Sequence, residues 1–218
     1  MTQYANQIGV EYRFDHDTNY IQSKYGSTSE TQDQFYGTLK PILDEEFDEY
    51  DKVMYVDVDI FPITKENIFD VFTGEVGQVP ENFLDDMMPI HRERFEEWRS
   101  FHPYVKENLN AGLILCSKEL RRKARDWVNL REYIDHTKSL GINEFFLGDQ
   151  TFLMQMFYKN GADIQLLDQD WNTHVFNDTG LYKGKKYCVR HDYRTPTTKF
   201  IHCRLKDQNE YREFLKEL

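Results

Sequence analysis

Cysteine is scarce in this chain. Cys116, Cys188 and Cys203, among 218 residues, cannot build a disulfide framework and fit a reducing compartment. No apolar run approaches the length of a membrane-spanning helix. The opening Met1-Thr2-Gln3-Tyr4 has neither the charged nor the apolar region of a signal peptide. A soluble, cytoplasmic protein without an integral membrane segment is therefore expected. Basic charge is also short. Lys+Arg 27 against Asp+Glu 38 leaves a formal net charge of -11, which argues against nucleic acid or an anionic membrane as partner. A phosphorylated ligand would need local help from a metal ion or a few cations. No internal repeat, low-complexity tract or linker divides the chain, so a single domain over residues 1–218 is expected.

What is present supports a real core: 39% of the residues are hydrophobic and 15% aromatic. The chain is organised around Tyr50 to Pro62. Val53 to Val56 has the β-branched and aromatic character of a buried strand. The strand ends in Asp57-Val58-Asp59, and Pro62 stops the ladder by removing a backbone donor. Two carboxylates at a buried strand tip cost free energy unless something positive lies between them. A divalent cation is the simplest candidate; an ordinary solvated strand end is the other reading of the pair taken alone.

In chain order, Thr2 to Ile8 is a helix closed by Gly9, and Val10 to Phe14 alternates as a strand. Asp15-His16-Asp17 is a polar loop and Tyr20 to Ser29 a further loop. A helix is expected over Thr31–Phe47 and a short one near Glu66 to Phe72. Gly74 to Val105 loses periodicity and is an irregular insert, a candidate acceptor-side loop. Leu109 to Cys116 is a buried strand. Ser117 caps a helix that buries Leu120, Ala124, Trp127, Leu130 and Ile134, with Arg121, Arg122, Lys123 and Arg125 on its solvated face. Asp149 caps a helix closed by Asn160-Gly161. Ile164 to Leu167 and Phe200 to Cys203 are strands, and Asp207 to Leu218 is an amphipathic helix. Alternating helices and strands predict an α/β domain with a mostly parallel central sheet flanked by helices.

Four pieces in one order, Tyr55-Val56-Asp57-Val58-Asp59, Leu109-Asn110-Ala111-Gly112, Gly148-Asp149-Gln150 and Phe200-Ile201-His202, resemble the nucleotide-diphospho-sugar glycosyltransferases of the GT-A fold. The likeness is closest to the retaining group that includes glycogenin and the lipopolysaccharide galactosyltransferases, and it covers roughly residues 34–206. It implies transfer of a sugar from a nucleotide donor, a UDP-sugar, to a sugar, lipid or protein acceptor. It implies Mn²⁺ or Mg²⁺ on Asp57, Asp59 and His202, with the imidazole favouring Mn²⁺. Asp57 then also lies near the ribose. Asn110 and Gly112 line the sugar pocket, Asp149 and Gln150 lie near the anomeric carbon, and Lys206 or Arg204 reaches the diphosphate. Trp171-Asn172 matches a structural element.

The departures are specific. Thr38 stands where relatives carry an arginine, and Cys203-Arg204-Leu205-Lys206-Asp207 replaces a glycine followed by Lys-Pro-Trp. The strand that opens a GT-A domain has no counterpart here. Three other readings stay open. A haloacid-dehalogenase-type phosphatase would use the same Asp-x-Asp strand, but has Leu153 where a second acid should follow Gly148-Asp149. A non-catalytic sugar-nucleotide-binding protein is the second. A zinc module of Cys188, His191, His202 and Cys203 is the third, although adjacent strand residues face opposite sides.

Overall fold

A computed structural model describes residues 1–15, 19–26, 33–81, 89–141, 148–182, 185–205 and 207–217. In chain order the helices and strands are α1 (Thr2–Ile8), α2 (Tyr20–Tyr25), α3 (Leu39–Leu43), β1 (Lys52–Val56), β2 (Ile60–Pro62), α4 (Ile68–Val71), β3 (Val76–Pro80), α5 (Pro89–Ser100), β4 (Leu109–Ser117), α6 (Lys118–Trp127), α7 (Leu130–Ser139), α8 (Asp149–Lys159), β5 (Ile164–Leu166), β6 (Thr173–Tyr182), β7 (Lys185–Asp192), β8 (Phe200–Arg204) and α9 (Gln208–Glu217). Tight 3₁₀ turns occupy Asp33–Thr38, Glu45–Phe47 and Gln169–Asn172. The chain divides into two compact units: Met1–Arg13 with Val56–Val71 and Leu167–Leu218, and Phe14–Tyr55 with Phe72–Leu166.

The second of these units is built on a sheet of order β1-β4-β3-β5, in which β3 runs antiparallel to β4 and parallel to β5. Every residue of β4 from Leu109 to Cys116 is buried, which is what a near-continuous apolar run requires of a central strand. Leu39, Ile42, Leu120, Ala124, Ile134, Phe152, Leu153 and Phe157 pack into one core with Val76, Ile114 and Cys116. Gly77 fits under this sheet because it lacks a side chain: a Cβ there would lie 2.9 Å from the ring of buried Phe72.

The other unit is built on a sheet of order β2-β8-β6-β7. β8 pairs antiparallel with β2 and parallel with β6, and β6 and β7 form a long antiparallel hairpin. Pro62 ends β2 at the edge of this sheet, where its missing donor costs nothing. Val175, Ile201, Cys203 and Phe214 form its core, with Phe61, Leu205 and Tyr211 packed against them.

The α/β class holds, while the expected arrangement changes in several places. The strands form two mixed sheets instead of one mostly parallel sheet, because β3 and the β6–β7 hairpin bring antiparallel pairings. Both elements come from stretches whose periodicity is weak. The expected insert at 74–105 contains the central strand β3 and the twelve-residue α5. Val10–Phe14 forms no strand, Tyr20–Tyr25 is helical, and the helix expected over Thr31–Phe47 is broken into 3₁₀ and α pieces. Residues 16–18, 31 and 32 lie outside the described residues.

Arg121 is not on a solvated face. It is fully buried and donates to the Phe47 carbonyl at 2.6 Å and to that of Tyr50. It thereby satisfies the chain entering β1, while Arg125 binds the carboxylate of Asp48. Burial pushes the Arg121 pKa down from its ordinary value.

Candidate functional site

The turn that leaves β1 sets up one group of the predicted site residues. Ile60 N–H donates to the Asp57 carbonyl at 3.2 Å, closing a tight Asp57-Val58-Asp59 turn with Val58 81% exposed at its tip. β2 then pairs with β8 so that Ile60 lies opposite His202, and Cys203 N–H donates to the Asp59 carbonyl at 2.9 Å. This register carries His202 to the two carboxylates. One ligand atom from each of Asp57, Asp59 and His202 lies within 4.8 Å of the other two. The oxygen–oxygen–nitrogen donor set suits Mn²⁺ or Mg²⁺, so these side chains fit the cation that the sequence calls for.

The imidazole is aimed by its surroundings. His202 Nδ1 lies 3.1 Å from Asn172 Oδ1, and since that oxygen only accepts, Nδ1 carries the hydrogen. Nε2 is then the atom that faces Asp59 Oδ1, at 3.4 Å. Asn172 is fully buried at the end of its 3₁₀ turn, which Asp168 caps through the Asp170 N–H. His174, paired with His202 across β6 and β8, packs its ring 4.5 Å from it. Burial drives the His174 pKa well below its ordinary value, so that ring is neutral. At Asp59 burial alone would raise the pKa. The His202 hydrogen bond and charge, with help from Arg204, outweigh it and hold the carboxyl below its ordinary value.

A cleft of about 600 Å³ opens beside Asp59, lined by Cys203, Arg204, Leu205, Gln208, Tyr211 and Arg212. It presents two exposed guanidiniums in a protein of net charge -11. Lys206, expected at the diphosphate, lies outside the described residues.

The remaining predicted site residues belong to the other unit, where they surround a carboxylate that the sequence did not single out. Glu81 directly follows β3 and is only 8% exposed. Its Oε1 accepts from Asn110 Nδ2 at 2.7 Å, and its Oε2 accepts from Asn108 Nδ2 at 2.7 Å and Gln150 Nε2 at 2.9 Å. Asn110 Oδ1 in turn accepts from Gly112 N–H at 2.8 Å. Gln150 Oε1 lies 3.4 Å from Ala111 N. Asn110, Gly112 and Gln150 are thus brought together around Glu81 and the start of β4. Asp149 differs in its role at the helix end. The N-cap of α8 is Gly148, and Asp149, one residue further in, accepts from the Gln150 N–H at 2.8 Å.

The profile of glycosyl transferase family 8 matches residues 3–202, most of the chain. The chain belongs to glycosyl transferase family 8. The resemblance carried by the four motifs is thereby borne out at the level of the family. Among solved structures, the chain is similar to mouse xyloside xylosyltransferase 1 in its apo form, with 18% identity and a TM-score of 0.49 over 73% of this chain and 63% of that one. It is similar to the apo bifunctional glycosyltransferase WbbM at 16% identity and TM-score 0.49, over 76% of this chain and 30% of that one. An active-site mutant of LgtC follows at 14% and 0.44, over 65% and 46%. The chain therefore spans less than two-thirds of the length of each of these proteins. No curated protein sequence matches it.

For a family 8 chain the rival chemistries lose ground. Leu153, where a phosphatase would need its second acid, is fully buried in the core. Cys203 packs with Phe214 and Ile201 while its neighbour His202 faces Asn172, so the two do not form a zinc pair. Glu81, Asn108 and His174 contact predicted site residues without being singled out by the sequence. Glu81 carries a weak signal, an acidic residue directly after Val76–Pro80, but the poor periodicity of residues 74–105 hides that strand. No helix of the described chain is long and apolar enough to cross a membrane.

Proposed function

We propose that the chain is a metal-dependent hexosyltransferase that takes a sugar from a nucleotide-diphosphate donor, a UDP-sugar, and retains its anomeric configuration. The observation that carries this reading is the convergence of Asp57, Asp59 and His202, ordered by Asn172, in a chain of family 8. Asp57, Asp59 and His202 would hold Mn²⁺, with Mg²⁺ as the alternative ion. Bound there, the ion supplies Lewis-acid stabilisation of the charge that collects on the departing diphosphate.

The chain's own groups do the rest. Asn172 holds His202 Nδ1 so that Nε2 is the ring atom turned toward Asp59. Arg204 and Arg212 line the cleft beside Asp59 and are assigned to the diphosphate oxygens together with Lys206. Asp57 is assigned to the ribose as well as the ion. Asn110, Gly112 and Asp149 are assigned to the donor sugar. Gln150 is assigned to the anomeric carbon, where its carbonyl dipole would stabilise the positive charge that develops as the sugar–phosphate bond breaks. An amide is a weak nucleophile, so this electrostatic role suits Gln150 better than a covalent one. The acceptor is a sugar, lipid or protein hydroxyl. A cytoplasmic setting is supported by the buried free thiols of Cys116 and Cys203.

The test is a panel of UDP- and GDP-sugars incubated with and without Mn²⁺ and followed by nucleotide release and thermal shift. Metal-dependent release from a UDP-sugar is expected. Metal-independent hydrolysis of simple phosphate esters with no response to any sugar nucleotide would overturn the assignment.

A further inference from the structure

The buried carboxylate of Glu81 has no cation beside it among the described residues; its side chain is held by three carboxamides. An ionised carboxylate only accepts hydrogen bonds. Asn108, Asn110 and Gln150 must therefore all turn their NH₂ groups toward it, and their carbonyl oxygens point elsewhere. The oxygen of Asn110 goes to Gly112 N–H at 2.8 Å, and that of Asn108 lies 3.3 Å from Gln150 Nε2. Gln150 Oε1 is left with a long contact of 3.4 Å to Ala111 N. Of the three oxygens it is the one held least tightly.

Two bonds between the strand ends hold this arrangement, one from the backbone and one from a side chain. Glu81 N–H donates to the Asn108 carbonyl at 2.8 Å, and Gln78 Nε2 donates to that of Asn110 at 3.0 Å. Both bonds clamp the end of β3 to the start of β4, where Pro80 pairs with Leu109.

We propose that Glu81 is a positioning residue whose charge decides which end of the Gln150 amide is presented to the substrate. This rests on the reading that Gln150 faces the anomeric carbon. With its NH₂ held by Glu81, Gln150 offers its carbonyl oxygen, the negative end of the dipole, to a centre that becomes positive as the electron pair leaves with the diphosphate. With the carboxylate removed, the amide is free to turn over and present NH₂, which opposes that charge. Glu81 itself neither bonds to the sugar nor transfers a proton.

The experiment compares Glu81→Gln, Glu81→Asp and Gln150→Ala by Mn²⁺-dependent UDP release from UDP-glucose and UDP-galactose. Glu81→Gln keeps the shape but brings its own NH₂ into the ring of donors, so at least one carboxamide must turn. The expected result is a fall in kcat on the order of 100-fold with KM changed by no more than about threefold. Glu81→Asp, which still only accepts, should retain most of the rate that Glu81→Gln loses. A folded Glu81→Gln enzyme that turns over like the wild type would overturn the proposal, as would equal losses in the Gln and Asp variants. Wild-type rates in Gln150→Ala would instead sink the underlying reading of Gln150. If the wild type cleaves neither probe, the side-chain amide resonances of Gln150 by ¹⁵N NMR decide the question. Their shift and slow exchange should be lost in Glu81→Gln, and unchanged resonances contradict the role.

Discussion

The hydrogen bond from His202 Nδ1 to Asn172 Oδ1, 3.1 Å long and buried, determines which ring nitrogen faces Asp59. Partners of this kind fix the tautomer and orientation of a metal-binding imidazole, and losing one typically costs 10–100-fold in affinity. Asn172→Ala is therefore expected to weaken Mn²⁺ binding by about that factor, with little change in thermal stability at saturating Mn²⁺. Titration followed by electron paramagnetic resonance of free Mn²⁺ measures it. An unchanged affinity would mean that packing against His174 alone holds the ring.

The cleft beside Asp59 makes a separate prediction. Charge-assisted hydrogen bonds are worth roughly 1.5–3 kcal/mol, so Arg204→Gln or Arg212→Gln should weaken UDP binding by about tenfold or more at saturating Mn²⁺. The salt dependence of UDP binding should become shallower in each variant. Mn²⁺ binding without nucleotide should stay as in the wild type. Calorimetric titrations at two ionic strengths separate these effects, and full UDP affinity in both variants would remove the arginines from the diphosphate site.

His102 gives stability a pH dependence that is independent of the site. Its pKa is lowered from 6.5 to about 4, first by burial and then by the charges of His136 and Lys159. Its Nδ1 lies 3.0 Å from Tyr104 Oη and its ring 4.6 Å from that of Trp98. The unfolded chain binds a proton at this residue below its ordinary pKa, while the folded chain resists until about pH 4. The stability associated with His102 is thus fully present above pH 6.5 and lost as the pH falls toward 4. Melting temperatures across this range should drop more steeply for the wild type than for His102→Gln. Parallel curves would contradict the buried neutral imidazole.

Gly77 tests the packing of β3. A methyl group there meets the rigid ring of Phe72 at 2.9 Å and Leu115 Cβ at 3.3 Å. Gly77→Ala should destabilise the fold by ~1–3 kcal/mol, measured by urea unfolding. A double change to Gly77→Ala with Phe72→Leu should recover part of the loss.

How legible these features are in the sequence depends on how local their causes are. α1 with its left-handed Gly9, the strand before Asp57, the Ser117 cap and α8 closing at Asn160-Gly161 each depend on neighbouring residues, and each forms as expected. Asp57 and Asp59 are also accessible as candidate ligands, because an apolar strand ending in two aspartates carries its own electrostatic problem, whereas His202 joins them only through the family resemblance. β3 and β6 were not. Val76-Gly77-Gln78-Val79-Pro80 alternates poorly and owes its strand to pairing with β4 and β5 on either side. Arg121 reads as one of four basic residues on a helix face, and only the approach of the Phe47 and Tyr50 carbonyls makes its burial favourable. Glu81 and Asn172 are in the same position. Each acts through partners 27 to 69 residues away in the chain, and its local sequence does not reveal those partners.

The central claim is that Asp57, Asp59 and His202 hold a divalent cation through which the nucleotide is bound. Calorimetric titration of UDP into the protein, with and without Mn²⁺, tests it most directly when repeated on Asp57→Asn and His202→Ala. The account predicts UDP binding that requires Mn²⁺ in the wild type and is weakened at least tenfold in both variants while their melting temperatures hold. UDP binding of equal strength with and without Mn²⁺, unaffected by either substitution, would contradict it.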